Sequence, residues 1–501
     1  MFIEIFLFLV CIWLGRTLIE KKKSGYNIPP SPPSIPILGN IAVFMQGGPP
    51  FRILKKIGDK YGNLFSLKLG PGLAVVLHDA DTIRQALLYQ GKEFAGRPRM
   101  YTATLLSRNN SGIAFSEDFS PVWHFHRKLA ATAIRRNICG KNCPAVELKI
   151  QTEVQHLVDN LSSQVNRICD ISRALNLTIL NVICDMTYSR TYSIDDPEFL
   201  EIEDLNNKFT TVLQPGDPVD VMPFLKIFPS KKLKLVHEII KTRDTILQRK
   251  YEEHLSTFDP DNVRDLTDAY LAAMMDSKDE NGNKDGNGIT EDHVIMAMWE
   301  FFTGGHESTF TTLNWAILYM ITYPEVQRKI QDEMEKVIGN RLPTWKDHLN
   351  LPYLEGAVME TLRESSFTSL GGPRRAVNNT TLEGYDIPKD TIVFCNIWWA
   401  HHDPKYWDEP NEFKPERFIR DGRVFFPKAF LPFSIGRRQC LGSILAKMEL
   451  FMVLGGILQR FNIRNPPGFP QPSLEPIPDM VLSPMPFKVW LEPRNVENVN
   501  V

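Results

Sequence analysis

The chain has 501 residues, 43% hydrophobic and 23% charged, with a formal net charge of −2. Such a composition can bury a large core and excludes a disordered chain, and the near-zero charge offers no global field for nucleic acid. Seven cysteines, odd in number and scattered, fit a reducing compartment and a functional thiol rather than a disulfide framework.

The first predicted element is an apolar run from Ile5 to Gly15, followed by Arg16 and by Lys21, Lys22 and Lys23. Extended to Ile19, with Glu4 and Arg16 reaching toward opposite interfaces, it supplies about 28 Å of helix. No basic segment precedes the run and no small-residue cleavage site follows it. An uncleaved membrane anchor over 1–20 is therefore expected rather than a signal peptide, with the main body on the side of the following cations, the cytosol. Residues 21–40 are basic and then proline-rich (Pro29 to Pro36), a stiff hinge before one large domain over 41–501. Phe65–Leu69 and Ala74–Leu77 flank Gly70-Pro71-Gly72 and predict a β-hairpin. Beyond it the patterning is mainly helical, so the predicted class is mainly α with small β-sheets. Trp123 and Arg127 stand four apart, on one helix face. The apolar stretch Val221–Pro229, followed by Lys231 and Lys232, is either a second membrane contact or a buried loop. Asp276–Gly288 reads as a solvated linker.

No proline interrupts Thr290 to Thr322, and Pro324 closes the segment. A single helix of about 50 Å is expected, long enough to cross the globule. Its centre reads Thr303-Gly304-Gly305-His306-Glu307-Ser308-Thr309. Two adjacent glycines in a helix cost about 1 kcal/mol each, so a local reason for them is expected. Further on, Glu360 and Arg363 are three apart on a helix, and Arg417 lies within Lys414-Pro415-Glu416-Arg417-Phe418. His401 and His402 are adjacent, a spacing that seldom turns two rings to one ion, so they are read as structural. The stretch Phe433-Ser434-Ile435-Gly436-Arg437-Arg438-Gln439-Cys440-Leu441-Gly442 sets one cysteine between glycines just ahead of an apolar-periodic run. A thiol there is expected to ionise easily, helped by the helix dipole and free N–H groups. Gly436 permits a turn that a Cβ would obstruct, and Gly442 lets a flat partner approach. Thiolate, open glycine and arginine together suit haem, its iron on sulfur and a propionate on arginine.

This stretch resembles the haem-binding loop of cytochrome P-450 monooxygenases, Phe-x-x-Gly-x-Arg-x-Cys-x-Gly, with Phe433, Gly436, Arg438, Cys440 and Gly442 in every specified place. The resemblance implies haem b (iron protoporphyrin IX) with Cys440 as axial ligand and O2 as co-substrate. Trp123, Arg127, Arg97 and Arg438 would hold propionates. Gly304 and Gly305 would make room for dioxygen, and Glu307, Ser308 and Thr309 would form the proton-delivering segment. Ser308 stands where the family usually has threonine; it keeps the hydroxyl but loses the β-branch that stiffens χ1. Glu360, Arg363 and Arg417 would form a buried structural triad. Ser366 departs from the family's usual proline three residues after the helix arginine, so the chain past it is expected to run differently.

The anchor implies the microsomal animal type, in the endoplasmic reticulum membrane with its catalytic domain facing the cytosol. Such members take electrons from NADPH-cytochrome P-450 reductase, with cytochrome b5 as a further partner, and no flavin- or nicotinamide-binding fingerprint occurs in this chain to replace them. Arg127, Lys128, Arg135, Arg136, Lys428 and Lys447 are either a docking patch or scattered solvated charge. Runs such as Glu93–Met100, His126–Ala130 and Leu225–Pro229 resemble the steroid 17α-hydroxylase/17,20-lyase branch, whereas Asp81–Leu87 looks more like the aromatic-hydrocarbon hydroxylase branch. In the steroid branch Asn206 and Arg243 would contact substrate; otherwise they are polar residues of a helix surface. The expected function is hydroxylation of a small apolar ring substrate. A haem-thiolate isomerase or dehydratase is the alternative, against which the acid–hydroxyl pair Glu307-Ser308 weighs.

Overall fold

In the computed structural model the first hairpin forms where glycine and proline punctuate the sequence. Strands β1 (Leu64–Leu69) and β2 (Gly72–Leu77) pair antiparallel, Leu64 opposite Leu77 and Leu69 opposite Gly72. The structure describes residues 25–494 apart from 36–38, 45–46, 109, 118, 140–142, 213–216, 222–225, 228–229, 277–287 and 478–480. The expected anchor over 1–20, the lysine cluster of the hinge, most of the apolar stretch 221–229 and the body of the 276–288 linker lie outside the described residues. Among the described residues, no helix is long and apolar enough to cross a membrane.

The remaining architecture is helical. In chain order the main helices are α1 (Pro50–Tyr61), α2 (Pro121–Cys139), α3 (Cys143–Ser162), α4 (Ser172–Tyr188), α5 (Pro197–Val212), α6 (Lys231–Ser256), α7 (Leu266–Met275), α8 (Glu291–Thr322), α9 (Pro324–Ile338), α10 (Pro352–Ser365) and α11 (Ser443–Arg460). The other principal strands are β3 (Ile168–Cys169), β4 (Arg374–Arg375), β5 (Ile392–Cys395), β6 (Phe461–Arg464) and β7 (Val489–Pro493). One sheet runs β1-β2-β5-β4, with β2 and β5 parallel; a second runs β6-β7-β3. Ala74, Val75, Val76 and Leu77 are all fully buried because β2 is an inner strand covered on both faces.

Helix α8 organises the molecule. Thr290 stands at its N-cap, where its backbone N–H donates to His293 Nδ1 (3.3 Å), and Glu291 and Asp292 complement the dipole of the first turn. Tyr323 ends it and Pro324 opens α9, because a proline is welcome only at a helix start. The thirty-two residues span about 48 Å. The first part, Val294–Trp299 with Phe302, is packed into a core shared with α5, α6 and α7. The last part, Leu313 and Trp315–Ile321, is packed into a second core shared with α3, α10 and α11. The glycine-containing segment between them belongs to neither core, and it carries the polar residues singled out in the sequence.

Candidate active site

Three successive residues of α8 point three ways. Ser308 shares a face with Gly304 and donates to its carbonyl at 2.8 Å. Gly304 is exposed although it lies mid-helix, and a Cβ there would meet nothing within 4 Å. This face borders open space. Glu307 is turned to α5, where its Oε2 accepts from Asn206 Nδ2 at 2.7 Å and its Oε1 from Thr311 Oγ1 at 3.2 Å. Burial raises the Glu307 carboxyl above its ordinary range, against the pull of the Asn206 and Thr311 hydrogen bonds. Thr309 is turned to α11, its Oγ1 lying 3.4 Å from Glu449 Oε2. The two glycines also differ. A Cβ on Gly305 would lie 2.6 Å from Ile183 Cδ1 of α4, so Gly305 serves close helix packing, whereas Gly304 borders the open space.

The cysteine loop is held from both sides. Gly436 has φ +75°, and a Cβ on it would sit 1.9 Å from the Leu87 carbonyl oxygen. A Gly436→Ala chain is expected to displace the loop: fewer molecules retain haem, read as the Soret-to-protein absorbance ratio, and the melting temperature falls. The Phe433 carbonyl accepts the Cys440 N–H at 3.0 Å while its ring packs on the core. A Cβ on Gly442 would meet nothing within 4 Å. Cys440 itself is solvent-accessible, yet burial raises its thiol above the ordinary range, against the pull of the Gly442 N–H and Arg127. Both are expected of a sulfur on the wall of an internal cleft. Burial thus works against the easy ionisation expected from the helix start, and a bound cation would favour the thiolate.

Around this loop the fold collects guanidiniums. Arg438 donates to the carbonyls of Ala95 (2.9 Å), Ile113 (2.8 Å) and Ser116 (3.0 Å) and lies 4.0 Å from the Trp123 ring centre. Trp123 donates its indole N–H to Ile113 O at 3.0 Å, and Arg127 donates to the Gln439 carbonyl. Arg97 donates to Ala114 O and Pro373 O, both at 2.7 Å. Sequence reasoning missed a fourth member, Arg374 of β4, which donates to Ser434 Oγ at 3.1 Å and whose buried Nη1 has no partner among the described residues. Burial and mutual repulsion push Arg438 down to about 9, and burial with Arg127 takes Arg374 to about 10. The carboxylate among them is Glu300, also missed. It accepts from the backbone N–H of Ile113 (2.6 Å) and Ala114 (3.0 Å), and burial raises it to about 7. Glu300 stands one turn before Gly304, an acid in an otherwise apolar stretch, a signal that could have found it. Crowded guanidiniums around Glu300, with the buried Arg374 Nη1 unpartnered among the described residues, suit further negative charge.

The structure brings Glu360, Arg363 and Arg417 together. Arg363 Nε and Nη2 reach Glu360 at 2.7 and 2.9 Å, and Arg417 Nε reaches it at 2.9 Å. The Lys414 N–H gives a fourth donor at 2.9 Å, and Arg363 also binds the carbonyls of His401 and Pro410. Ser366 takes φ +41°, a value closed to proline, so the chain does take a path here that a proline could not follow. Its Oγ donates to Arg363 O (2.7 Å) and meets His401 Nδ1 (2.8 Å), while His401 Nε2 accepts the Leu431 N–H at 2.9 Å. His402 instead bonds Trp398 O at 2.7 Å, so the two histidines point apart. His254, Asp265 and Asp268 also cluster, but both His254 nitrogens are spent, one on Lys250 O and one on Asp265, each at 2.9 Å. Arg243 is fully buried, held by Asp244 (2.8 Å) and the Leu106 carbonyl. A charged cavity of about 330 Å³ lined by Arg190, Lys250, His254 and Arg264 contains none of the predicted residues.

A cleft-wall thiol, open glycines at 304 and 442, and a cradle of arginines with an unsatisfied donor fit an iron porphyrin carrying two propionates. Cys440 would hold its iron, and Arg97, Arg127, Arg374, Arg438 and Trp123 its carboxylates; when bound, the group supplies dioxygen activation. Fold and site thus define a haem-thiolate oxygenase. Residues 29–491 match the Cytochrome P450 family, and the chain belongs to it. It is similar to the steroid 17-alpha-hydroxylase/17,20 lyase of Squalus acanthias, 36% identical over 97% of this chain and 96% of that protein, and to that of Oryzias latipes, 38% identical over 96% and 94%. The cytochrome P450 1A1 of Chelon saliens is 35% identical over 91% and 89%. A solved zebra fish cytochrome P450 with progesterone matches at TM-score 0.81 and 34% identity, covering 89% of this chain and 100% of that one. The chain is a monooxygenase of this family, using haem iron and O2.

Proposed function

We propose that the protein is a steroid hydroxylase of the 17α-hydroxylase/17,20-lyase type, carrying haem b. Its electrons would come from NADPH-cytochrome P-450 reductase, aided by cytochrome b5, at the endoplasmic reticulum membrane. Residues 1–20 would anchor it with the catalytic domain in the cytosol. Lys128 and Arg135 are exposed for docking, whereas Lys428 is paired with Asp81 at 2.8 Å and Lys447 is half-buried. The Arg136 side chain lies outside the described residues. Ser308 Oγ, on the open face, would pass a proton toward the cleft, and its neighbour Glu307, whose carboxyl burial raises above its ordinary range, would be the acid that supplies it.

One observation carries the substrate reading. Asn206 is 4% exposed, donates to Glu307, and keeps a buried Oδ1 with no partner among the described residues. A ligand that brings one polar end to this buried oxygen, as a steroid hydroxyl would, suits it. The likeness to the cytochrome P450 1A1 chains favours planar aromatic substrates as a second reading. Spectral titration with a steroid panel and a planar aromatic panel, then product analysis, separates the two. Asn206→Ala is expected to weaken steroid binding about 10-fold, the worth of one hydrogen bond, and leave aromatic binding unchanged. Tight aromatic shifts with no steroid response would reverse the assignment.

A further inference from the structure

Glu449 takes no part in the chemistry above, yet it is an acid buried in the wall between the two sides of the site. It lies in α11, nine residues after Cys440, and is 1% exposed. Its described hydrogen-bonding contact is Thr309 Oγ1, itself 2% exposed, at 3.4 Å from Oε2; Oε1 has no partner among the described residues. A methionine or leucine would fill similar volume without leaving a polar atom unsatisfied, so the acid costs stability where it stands. Burial raises this carboxyl well above its ordinary range, which makes it a neutral acid able to donate as well as accept. Thr309 directly follows Ser308, and the two side chains leave α8 on different faces, one to the open space and one to α11.

We propose that Glu449 is a positioning residue for oxygen activation: its carboxyl latches Thr309 and so fixes the turn of α8 bearing Gly304 and Ser308 against the helix that begins at the cysteine loop. A rotation of that turn swings the Ser308 hydroxyl and the Gly304 opening together, since Ser308 is tied to the Gly304 carbonyl. The latch thereby sets where protons arrive, without touching substrate or cofactor. This rests on the oxygenase assignment and not on the choice of substrate.

The test uses the haem-loaded full chain, reconstituted with an NADPH-dependent reductase and whichever panel compound gives a spectral shift. A failure of the steroid reading therefore leaves it intact. Glu449→Leu and Thr309→Val are expected to keep the carbon monoxide spectrum of the reduced protein. The share of NADPH electrons lost to hydrogen peroxide should rise several-fold, and amide exchange over 303–312 should quicken. The double variant should be no worse than either single one, because both remove one contact. Glu449→Gln, which keeps a donor and an acceptor, should restore coupling and slow exchange. Parental coupling in Glu449→Leu, or peroxide loss in Glu449→Gln equal to that in Glu449→Leu, overturns the proposal. Should Glu449→Leu fail to retain haem, Thr309→Val decides alone, and parental coupling there overturns it as well.

Discussion

Replacing Cys440 by alanine abolishes the thiolate-type carbon monoxide spectrum of the reduced protein and takes substrate oxidation to background. The expectation follows from the wall of the cleft. Cys440 presents an accessible sulfur two residues from Gly442, where the backbone is open to a flat partner. The arginine cradle remains in this variant, so haem can still be recruited through its carboxylates, but without the sulfur that donates electron density to the iron. Absorbance of the reduced, carbon monoxide-treated protein is the measurement. A spectrum unchanged from the parent would mean that another side chain is the ligand.

The second large effect belongs to Arg363. Glu360 and Arg363 are both fully buried, and Glu360 receives four donors in all. An Arg363→Met chain keeps the apolar volume but takes away two of the four donors and the fully buried counter-charge of Glu360, and it frees the carbonyls of His401 and Pro410. Breaking a buried pair from one side costs about 3–5 kcal/mol, a large share of the ~5–15 kcal/mol that holds a domain folded. Little haem-loaded protein should accumulate, and its melting temperature should drop steeply. Arg417→Met should be milder, because that side chain is 10% exposed and water can replace part of what it gave. Thermal unfolding followed by the Soret band ranks the two; equal losses would contradict the one-sided burial argument.

What the sequence disclosed was local. Phe433 to Gly442 and Gly304 to Thr309 are short stretches whose spacing already carries their geometry. The span of α8 was equally legible, since caps and a following proline bracket it. What it hid was brought in from afar. Arg374 reaches the cradle because β4 pairs with β5, a register that depends on the parallel match of β5 to β2. Glu300 is explained by backbone N–H groups nearly 190 residues earlier. The two glycines looked alike in sequence, and Ile183 on another helix tells them apart. The thiol shows the same divide: the helix terminus is a local feature, whereas the burial that opposes its ionisation is supplied by the whole fold.

Ser366 carries a consequence for the loop that leads to Phe433. Its hydroxyl orients His401, and His401 in turn receives the Leu431 amide two positions ahead of Phe433. A proline here would have to flip the backbone from φ +41° and would at the same stroke remove the hydroxyl that meets His401. The serine thus ties the end of α10 to the approach of the cysteine loop through a single imidazole.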